Sequence, residues 1–246
     1  MRERLSRCGL GYMMIKHGYQ ERVICGGAQE INVYAMGTFD ALGAFSVFEG
    51  DPTKALRPFD KSRDGLIPSG GAATVVIESL ESAQKRGAKI LGEIVGYGFS
   101  SNGGHISNPT VAGPQKSLSM ALEQSQMKPS DIGYINAHAT STPQGDASEA
   151  QAIANVFGDN TVPVSSTKSM TGHECWMAGA SEIVYSMQML EKGFIAPNIN
   201  FNEPDEFSAR LNIVPSTIIQ NFNVFLSNSF GFGGTNSSLI VKRWMP

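Results

Sequence analysis

The sequence predicts a layered α/β fold in which helices pack against a sheet. Two observations lead to this prediction. From about residue 90 onward, short β-prone runs alternate with stretches of helical spacing. Three polar, glycine-bearing segments also follow directly after predicted strands. With 246 residues, of which 41% are hydrophobic, the chain can form one large domain or two small ones with a buried core.

The first third of the chain predicts short elements separated by turns. A helix that ends at Gly18 is followed by a β-prone run that stops at Gly26 and Gly27. A third stretch has apolar residues at helical spacing. The predicted elements are the helix end 9–18, strand 22–25, helix 29–42, irregular segment 45–70, strand 72–78, short helix or turn 80–87 and strand 90–97.

The remaining two thirds predict the alternation itself. Each helix has one apolar face, and the strands are short and rich in Val and Ile. The predicted elements are helix 114–125, strand 132–135, helix 143–157, strand 162–164, helix 175–191, an irregular stretch from 197, and strands 223–226 and 237–241.

Charge and cysteine content exclude several classes of protein. The net charge of −3 argues against a nucleic-acid-binding protein, which needs a basic face. Cys8, Cys25 and Cys175 have no metal-binding spacing, and an odd number favours free thiols in a reducing compartment. The sequence contains no stretch of membrane-spanning length and no apolar signal core at its start. We therefore expect a cytoplasmic protein without a membrane or metal partner.

The three polar segments are the candidate functional site. They comprise residues 136–146, 168–173 and 227–236. Catalytic groups in α/β folds tend to lie on loops at strand ends, so three such loops could converge on one site.

Two histidines and a lysine in these segments indicate a particular chemistry. His138 and His173 could each donate a hydrogen bond from a neutral imidazole to one oxygen, which would stabilise an enolate. The charge of Lys168 could bias the protonation of its neighbours or pair with Glu149 or Asp146. Taken alone, each histidine would more often have an ordinary structural role, and Lys168 would equally well be a surface lysine.

The third segment combines flexibility with apolar bulk. Gly231, Gly233 and Gly234 allow close backbone approach to a ligand, and Phe230 and Phe232 supply large side chains. This pattern predicts a mobile gate or an oxyanion loop. An ordinary glycine-rich turn with two buried aromatic residues remains the alternative.

Together the segments resemble the C-terminal part of the elongating β-ketoacyl-[acyl-carrier-protein] synthases. The matching motifs are His138-Ala-Thr-Ser-Thr-Pro with Gly145-Asp146, the 168–173 segment ending in Gly172-His173, and Asn228-Ser-Phe-Gly-Phe-Gly-Gly-Thr-Asn. Three ordered motifs make this a specific signal. The similarity extends from about Gly9 to Val241.

The resemblance implies a thiolase-like fold, a layered α-β-α-β-α stack of two similar halves. Residues 1–88 would be a remnant of the N-terminal half, and residues 89–246 the C-terminal half. The resemblance also implies a homodimer and an acyl carrier protein as partner. It implies no cofactor, because the substrates are carried on the phosphopantetheine of the carrier protein.

The resemblance further implies a role for each candidate residue. His138 and His173 match the pair that binds the malonyl thioester oxygen, and Lys168 matches the lysine that organises them, with Glu149 as its acidic neighbour. Thr140 and Thr142 match hydroxyls that hold the phosphopantetheine arm. Phe232 matches a gate residue whose backbone N–H enters the oxyanion hole, and Phe230 lines the same pocket.

The sequence departs from the family pattern at the position of the nucleophilic cysteine. Alignment back from Gly18 puts Arg7 at that position and Cys8 one residue later, and one helical residue turns a side chain by about 100°. We therefore expect Cys8 to point away from the histidines.

Three explanations of this departure remain open. The chain could be a truncated synthase, or it could be a non-nucleophilic partner of the chain-length-factor type or an inactive remnant. A coenzyme-A thiolase fits less well, because no cysteine follows Cys175. We expect the 246-residue chain to lack condensation activity.

Overall fold

The computed structural model describes residues 5–245, which form seven α-helices and ten strands. The helices are α1 (Leu5–Lys16), α2 (Val33–Asp40), α3 (Leu80–Lys85), α4 (Ala112–Ser125), α5 (Pro143–Phe157), α6 (Lys168–Thr171) and α7 (Ala178–Lys192). The strands are β1 (Arg22–Gln29), β2 (Gly71–Glu78), β3 (Gly92–Ser101), β4 (Tyr134–Asn136), β5 (Pro163–Ser165), β6 (Phe194–Ile195), β7 (Asn212–Ile213), β8 (Ile218–Ile219), β9 (Val224–Gly231) and β10 (Thr235–Arg243). The predicted alternation of strands and helices is confirmed.

A mixed six-stranded sheet in the order β3-β10-β9-β4-β5-β7 forms the centre of the fold. Strand β10 is antiparallel to both of its neighbours, whereas β9, β4, β5 and β7 run parallel to one another. Asn136 at the end of β4 pairs with Ser165 at the end of β5 and with Ser227 of β9. The carboxyl ends of these strands therefore meet at one edge, which is where the polar segments begin.

Helices cover both faces of this sheet. On one face α4 and α5 pack against it through a core that includes Leu118, Ile153 and Leu226. On the other face α1 and α7 pack against it through residues such as Leu190 and Phe225. Each fully buried side chain of this kind contributes about 1.5–3 kcal/mol to folding.

The two-stranded sheet of β1 and β2 forms a further layer. It packs on α1 and α7, so the described layers are helix, sheet, helix, sheet. Ile24 pairs with Val76 on its outer face, and these side chains are 75% and 61% exposed.

Two helices are shorter than the sequence predicts. The predicted helix 29–42 begins only at Val33, because the β1–β2 ladder extends to Gln29 paired with Gly71. The predicted helix 175–191 begins at Ala178, because Cys175 has a left-handed φ of 44° and a 3-10 turn precedes the helix.

The segment around Phe232 is a hairpin rather than an irregular loop. Strand β9 continues to Gly231, which pairs with Thr235 at the start of β10. Only residues 232–234 form the turn, in which Gly233 and Gly234 have φ of 83° and 76°. These values favour glycine, so the glycines close a tight hairpin in which residues 230 and 231 still belong to β9.

None of the helices within residues 5–245 has the combined length and apolar character needed to cross a bilayer.

Candidate active site

The two histidines lie side by side at the sheet edge. His138 follows β4 and His173 follows α6, and their ring centroids are 5.6 Å apart at an angle of 82°. Phe230 of β9 brings its ring to 6.0 Å from the ring of His138. The prediction that the three segments converge is confirmed.

The carboxylate of Glu149 holds the His138 loop in place. Its two oxygens accept hydrogen bonds from the backbone N–H groups of His138 at 2.9 Å and Ala139 at 2.7 Å. Asn228 of β9 donates to the same carboxylate at 2.9 Å. Helix α5 thus ties the first segment to the third.

Asp146 holds the next residues of the same loop. It accepts from the backbone N–H groups of Thr140 at 3.0 Å, Ser141 at 3.2 Å and Phe59 at 2.8 Å. The hydroxyls of Thr140 and Thr142 are 3.1 Å apart, and both residues line the cavity beside the histidines.

Backbone contacts fix the position and the tautomer of His173. Its N–H donates to the carbonyl oxygen of Ile67 at 2.7 Å, and the left-handed Gly172, with φ of 78°, turns the chain at this point. The backbone N–H of Cys175 donates to His173 Nδ1 at 3.3 Å. Because Nδ1 accepts this bond, a neutral His173 carries its proton on Nε2.

Lys168 is a buried cation beside both rings. It is 1% exposed, and its Nζ forms an ion pair with Glu182 of α7. Burial raises the pKa of Glu182 to about 7 although the charge of Lys168 opposes this shift. Burial also raises the pKa of Glu149, and the charge of Lys168 again acts in the opposite direction. The structure thus adds Glu182 of α7 as an ion-pair partner of Lys168, and the charge of Lys168 also acts on Glu149.

The environment keeps both imidazoles neutral. Burial, followed by the charge of Lys168, lowers the pKa of His173 to about 3. The same two causes, together with the charge of His173, hold the pKa of His138 well below its ordinary value of 6.5. A neutral imidazole can donate one hydrogen bond, which is what a developing oxyanion requires.

A cavity of about 280 Å³ opens beside the histidines. Part of its lining is an apolar cluster that includes Phe39, Leu66, Trp176 and Phe232. Other parts are polar. The polar lining residues include Asn102, His105, Ser107, Asn108, Thr140, Thr142, Gln144 and Ser148.

Cys8 lies away from this cavity. It is fully buried in α1 within the core shared with α7, and it is not among the described residues that line the cavity. A hydrogen bond with Cys25, and then burial, raise the pKa of its thiol far above the ordinary value. The expectation that Cys8 points away from the histidines is confirmed. The described cysteine that does line the cavity is Cys175.

Sequence reasoning missed Glu182 and Trp176, and it assigned no role to Asn228 although this residue stands in the third motif. Glu182 is a charged residue on the buried face of α7, beside Ile183 and Ser186, and such a position in the sequence indicates a buried charge that needs a partner. Only the fold brings Asn228 to Glu149 and Trp176 to the cavity.

Comparisons with known proteins point to one family. The model of the beta-ketoacyl synthase C-terminal domain matches residues 91–202, and that of the N-terminal domain matches residues 8–83. The 3-oxoacyl-[acyl-carrier-protein] synthase 1 of Escherichia coli (strain K12) is 46% identical over 230 residues, which are 93% of this chain and 56% of that protein. The chain thus spans little more than half the length of the curated relatives that it matches.

Solved structures agree with this result. A beta-ketoacyl synthase from Burkholderia phymatum STM815 has a TM-score of 0.95 and 39% identity, over 98% of this chain and 59% of that one. The ketosynthase AntDE, solved with the acyl carrier protein AntF, has a TM-score of 0.92 and 32% identity, over 98% of this chain and 60% of that one. The expected thiolase-like fold is confirmed.

Proposed function

We propose that this chain, which belongs to the β-ketoacyl synthase family, carries the site for a decarboxylative Claisen condensation. The substrates would be malonyl-carrier protein and an acyl thioester, in fatty-acid or polyketide synthesis. The observation that carries the proposal is the pair of neutral imidazoles, 5.6 Å apart, at the wall of one cavity.

The histidines would act on the malonyl thioester oxygen. His173 offers Nε2–H because Nδ1 already accepts from the backbone of Cys175. His138, held by Glu149, would offer a second donor to the same oxygen. When the bond to the carboxylate breaks and CO₂ leaves, the electron pair forms an enolate whose charge falls on that oxygen. Preorganised donors stabilise this charge most in the transition state.

Lys168 would act through the histidines. After burial, its charge is the next cause that lowers the pKa of both histidines, which favours their neutral, donating form. The ion pair with Glu182 would keep this cation fixed and compensated in its buried position.

The enolate carbon would then attack the acyl thioester carbonyl, forming the new carbon–carbon bond and releasing a thiolate. The apolar cluster with Phe39, Leu66 and Trp176 suits the acyl chain. The hydroxyls of Thr140 and Thr142 suit the amide groups of a phosphopantetheine arm. We assign the gate role to Phe232, at the hairpin turn.

The remaining properties follow from the same proposal. An acyl carrier protein would present the substrates, and the similar ketosynthase AntDE was solved in complex with the acyl carrier protein AntF. We also propose a cytoplasmic homodimer, without a cofactor.

A non-nucleophilic partner of the chain-length-factor type is the second candidate. The position of Cys8 favours it, since this thiol is buried in the α1 core rather than at the cavity. The intact set of His138, Lys168 and His173 favours the condensing site.

The decarboxylation half-reaction tests the proposal, because it needs the histidines but no nucleophilic cysteine. We expect the purified chain to convert malonyl-carrier protein to acetyl-carrier protein, measured by intact-protein mass spectrometry. His138→Ala and His173→Ala should each lower the rate by about 10²–10³-fold. His17→Ala is the matched control, because His17 is exposed near the end of α1.

The outcomes separate the candidates. Loss of CO₂ that depends on both histidines, without a condensation product, supports the proposed site. Equal rates in the histidine variants refute it, and absence of CO₂ loss favours the partner subunit. A β-ketoacyl product from this chain alone would show that it holds a working nucleophile.

A further inference from the structure

Cys8 and Cys25 form a pair of buried thiols outside the proposed site. Cys8 lies in α1 and is fully buried, and Cys25 lies in β1 and is 3% exposed. Both side chains belong to one apolar cluster of the core, which also contains Leu5 and Ile183. Neither residue has a role in the proposed condensation.

The packing of β1 on α1 fixes this contact. The sulfur of Cys25 lies 3.5 Å from the backbone oxygen of Arg7, directly before Cys8. A Cβ atom added at Gly11 would lie 2.7 Å from the same sulfur. Residues 7, 8 and 11 share one side of the helix, so the thiol of Cys25 is seated on the side that carries Cys8.

Strand geometry supports the same orientation. Side chains alternate between the two faces of β1, and Ile24 points outward with 75% exposure. Cys25 therefore points inward, toward the helix. The two thiols belong to separate elements, so a bond between them would join α1 to β1.

We propose that Cys8 and Cys25 are a disulfide-forming pair, which a peroxide oxidant converts to an intramolecular cross-link between α1 and β1. This modification site is independent of the proposed condensing function. The two thiols share one buried cluster, and the sulfur of Cys25 lies on the side of α1 that carries Cys8, where an S–S bond of about 2.05 Å would join them.

The difference in pKa between the two thiols determines which sulfur reacts first. The hydrogen bond from Cys8 lowers the pKa of Cys25, whereas the pKa of Cys8 is raised. The thiolate of Cys25 attacks one peroxide oxygen and the O–O bond breaks. The hydroxide that leaves takes up the proton that the thiol had released, so a sulfenic acid and one water form. The thiol of Cys8 then attacks this sulfur, the S–S bond forms and a second water leaves. Two electrons pass from the sulfurs to the peroxide.

Cys175 provides an internal control. It lies in a different apolar cluster with Phe39 and Leu66, at the cavity, and its sulfur is 3.4 Å from the backbone oxygen of His173. The proposal predicts that it stays outside the cross-link.

Peptide mapping of the full 246-residue chain tests the proposal. The reduced protein is treated with hydrogen peroxide, denatured, alkylated and digested with trypsin, which separates Cys8 from Cys25 because Lys16 and Arg22 lie between them. We expect a linked peptide pair whose mass is lower by two hydrogens and returns to the sum of its parts on reduction. The number of alkylated cysteines should fall from three to one.

Two variants complete the test. Cys175→Ser should leave the cross-link unchanged. Cys8→Ser keeps a hydroxyl that can donate to Cys25, so a sulfenic acid at Cys25 should then be trapped by a dione reagent. Alkylation of both Cys8 and Cys25 after peroxide would overturn the proposal, as would a cross-link to Cys175 or between chains. Over-oxidation of Cys25 in the unaltered chain, without the linked peptide, would overturn it as well.

Discussion

Replacing His173 by asparagine tests the claim that the buried ring is neutral. The folded protein lowers the pKa of His173 from 6.5 to about 3, chiefly by burial. The unfolded chain therefore binds a proton between these pH values that the folded protein excludes. This difference raises the stability of the folded protein as the pH increases from 3 to 6.5, and the increase is complete above 6.5.

The magnitude follows from the size of the shift. One pH unit of this difference corresponds to about 1.4 kcal/mol. Between pH 4.5 and 7 we therefore expect His173 alone to add about 2.7 kcal/mol to the free energy of unfolding, and His173→Asn to lack this increment. With a urea m-value of about 3 kcal/mol/M, the pH-dependent change of the midpoint should differ between the two proteins by about 0.9 M.

Urea unfolding at several pH values, followed by tryptophan fluorescence, measures this difference. His17→Asn serves as the control, because it makes the same replacement at an exposed histidine outside the candidate site. If the parent chain and His173→Asn lose stability in parallel toward pH 4.5, the ring is not held neutral by the fold. A histidine titration by NMR would then place its pKa near 6.5.

Three further predictions concern the ion pair, the turn before His173 and the buried thiol. Lys168→Met should lower the free energy of unfolding by about 3–5 kcal/mol, because it leaves Glu182 buried without its cation. Adding Glu182→Gln should restore more than half of this loss, as measured by urea unfolding. An equal loss of stability in the double variant would contradict the ion pair between Lys168 and Glu182. Gly172→Ala should lower the free energy of unfolding by about 1–3 kcal/mol and slow CO₂ release from malonyl-carrier protein. The reason is that Gly172 has a φ of 78° and that the new Cβ would lie 2.7 Å from Ser69 Cβ. An unchanged free energy of unfolding would show that the turn at Gly172 tolerates a side chain. Cys8→Ala should leave the rate of CO₂ release from malonyl-carrier protein within about twofold, whereas a loss like that of the histidine variants would place Cys8 in the site.

The elements with strong local patterns were predictable from the sequence. The predicted helix 143–157 matches α5 in its bounds, because its apolar spacing and the proline at its start act locally. The predicted strand 22–25 was too short, because residues 26–29 form strand only through pairing with residues 71–74 of β2. Such long-range pairing has no local signal.

The candidate site likewise combines residues that the sequence predicted with contacts that only the fold creates. The resemblance named His138, Lys168 and His173, and the structure brings all three together. It also adds Glu182, which lies on another helix, as an ion-pair partner of Lys168. The roles assigned to the site residues remain predictions until the kinetic tests are made.

The sequence by itself determined which side chains are available and which short segments carry them, because motif spacing and apolar periodicity are local properties of the chain. Only the tertiary structure decided that two imidazoles share one wall, that burial and Lys168 keep both of them neutral, and that Cys8 faces Cys25 instead of the cavity. Burial and distance between remote segments set each of these properties, and both arise when the sheet and its helices pack together.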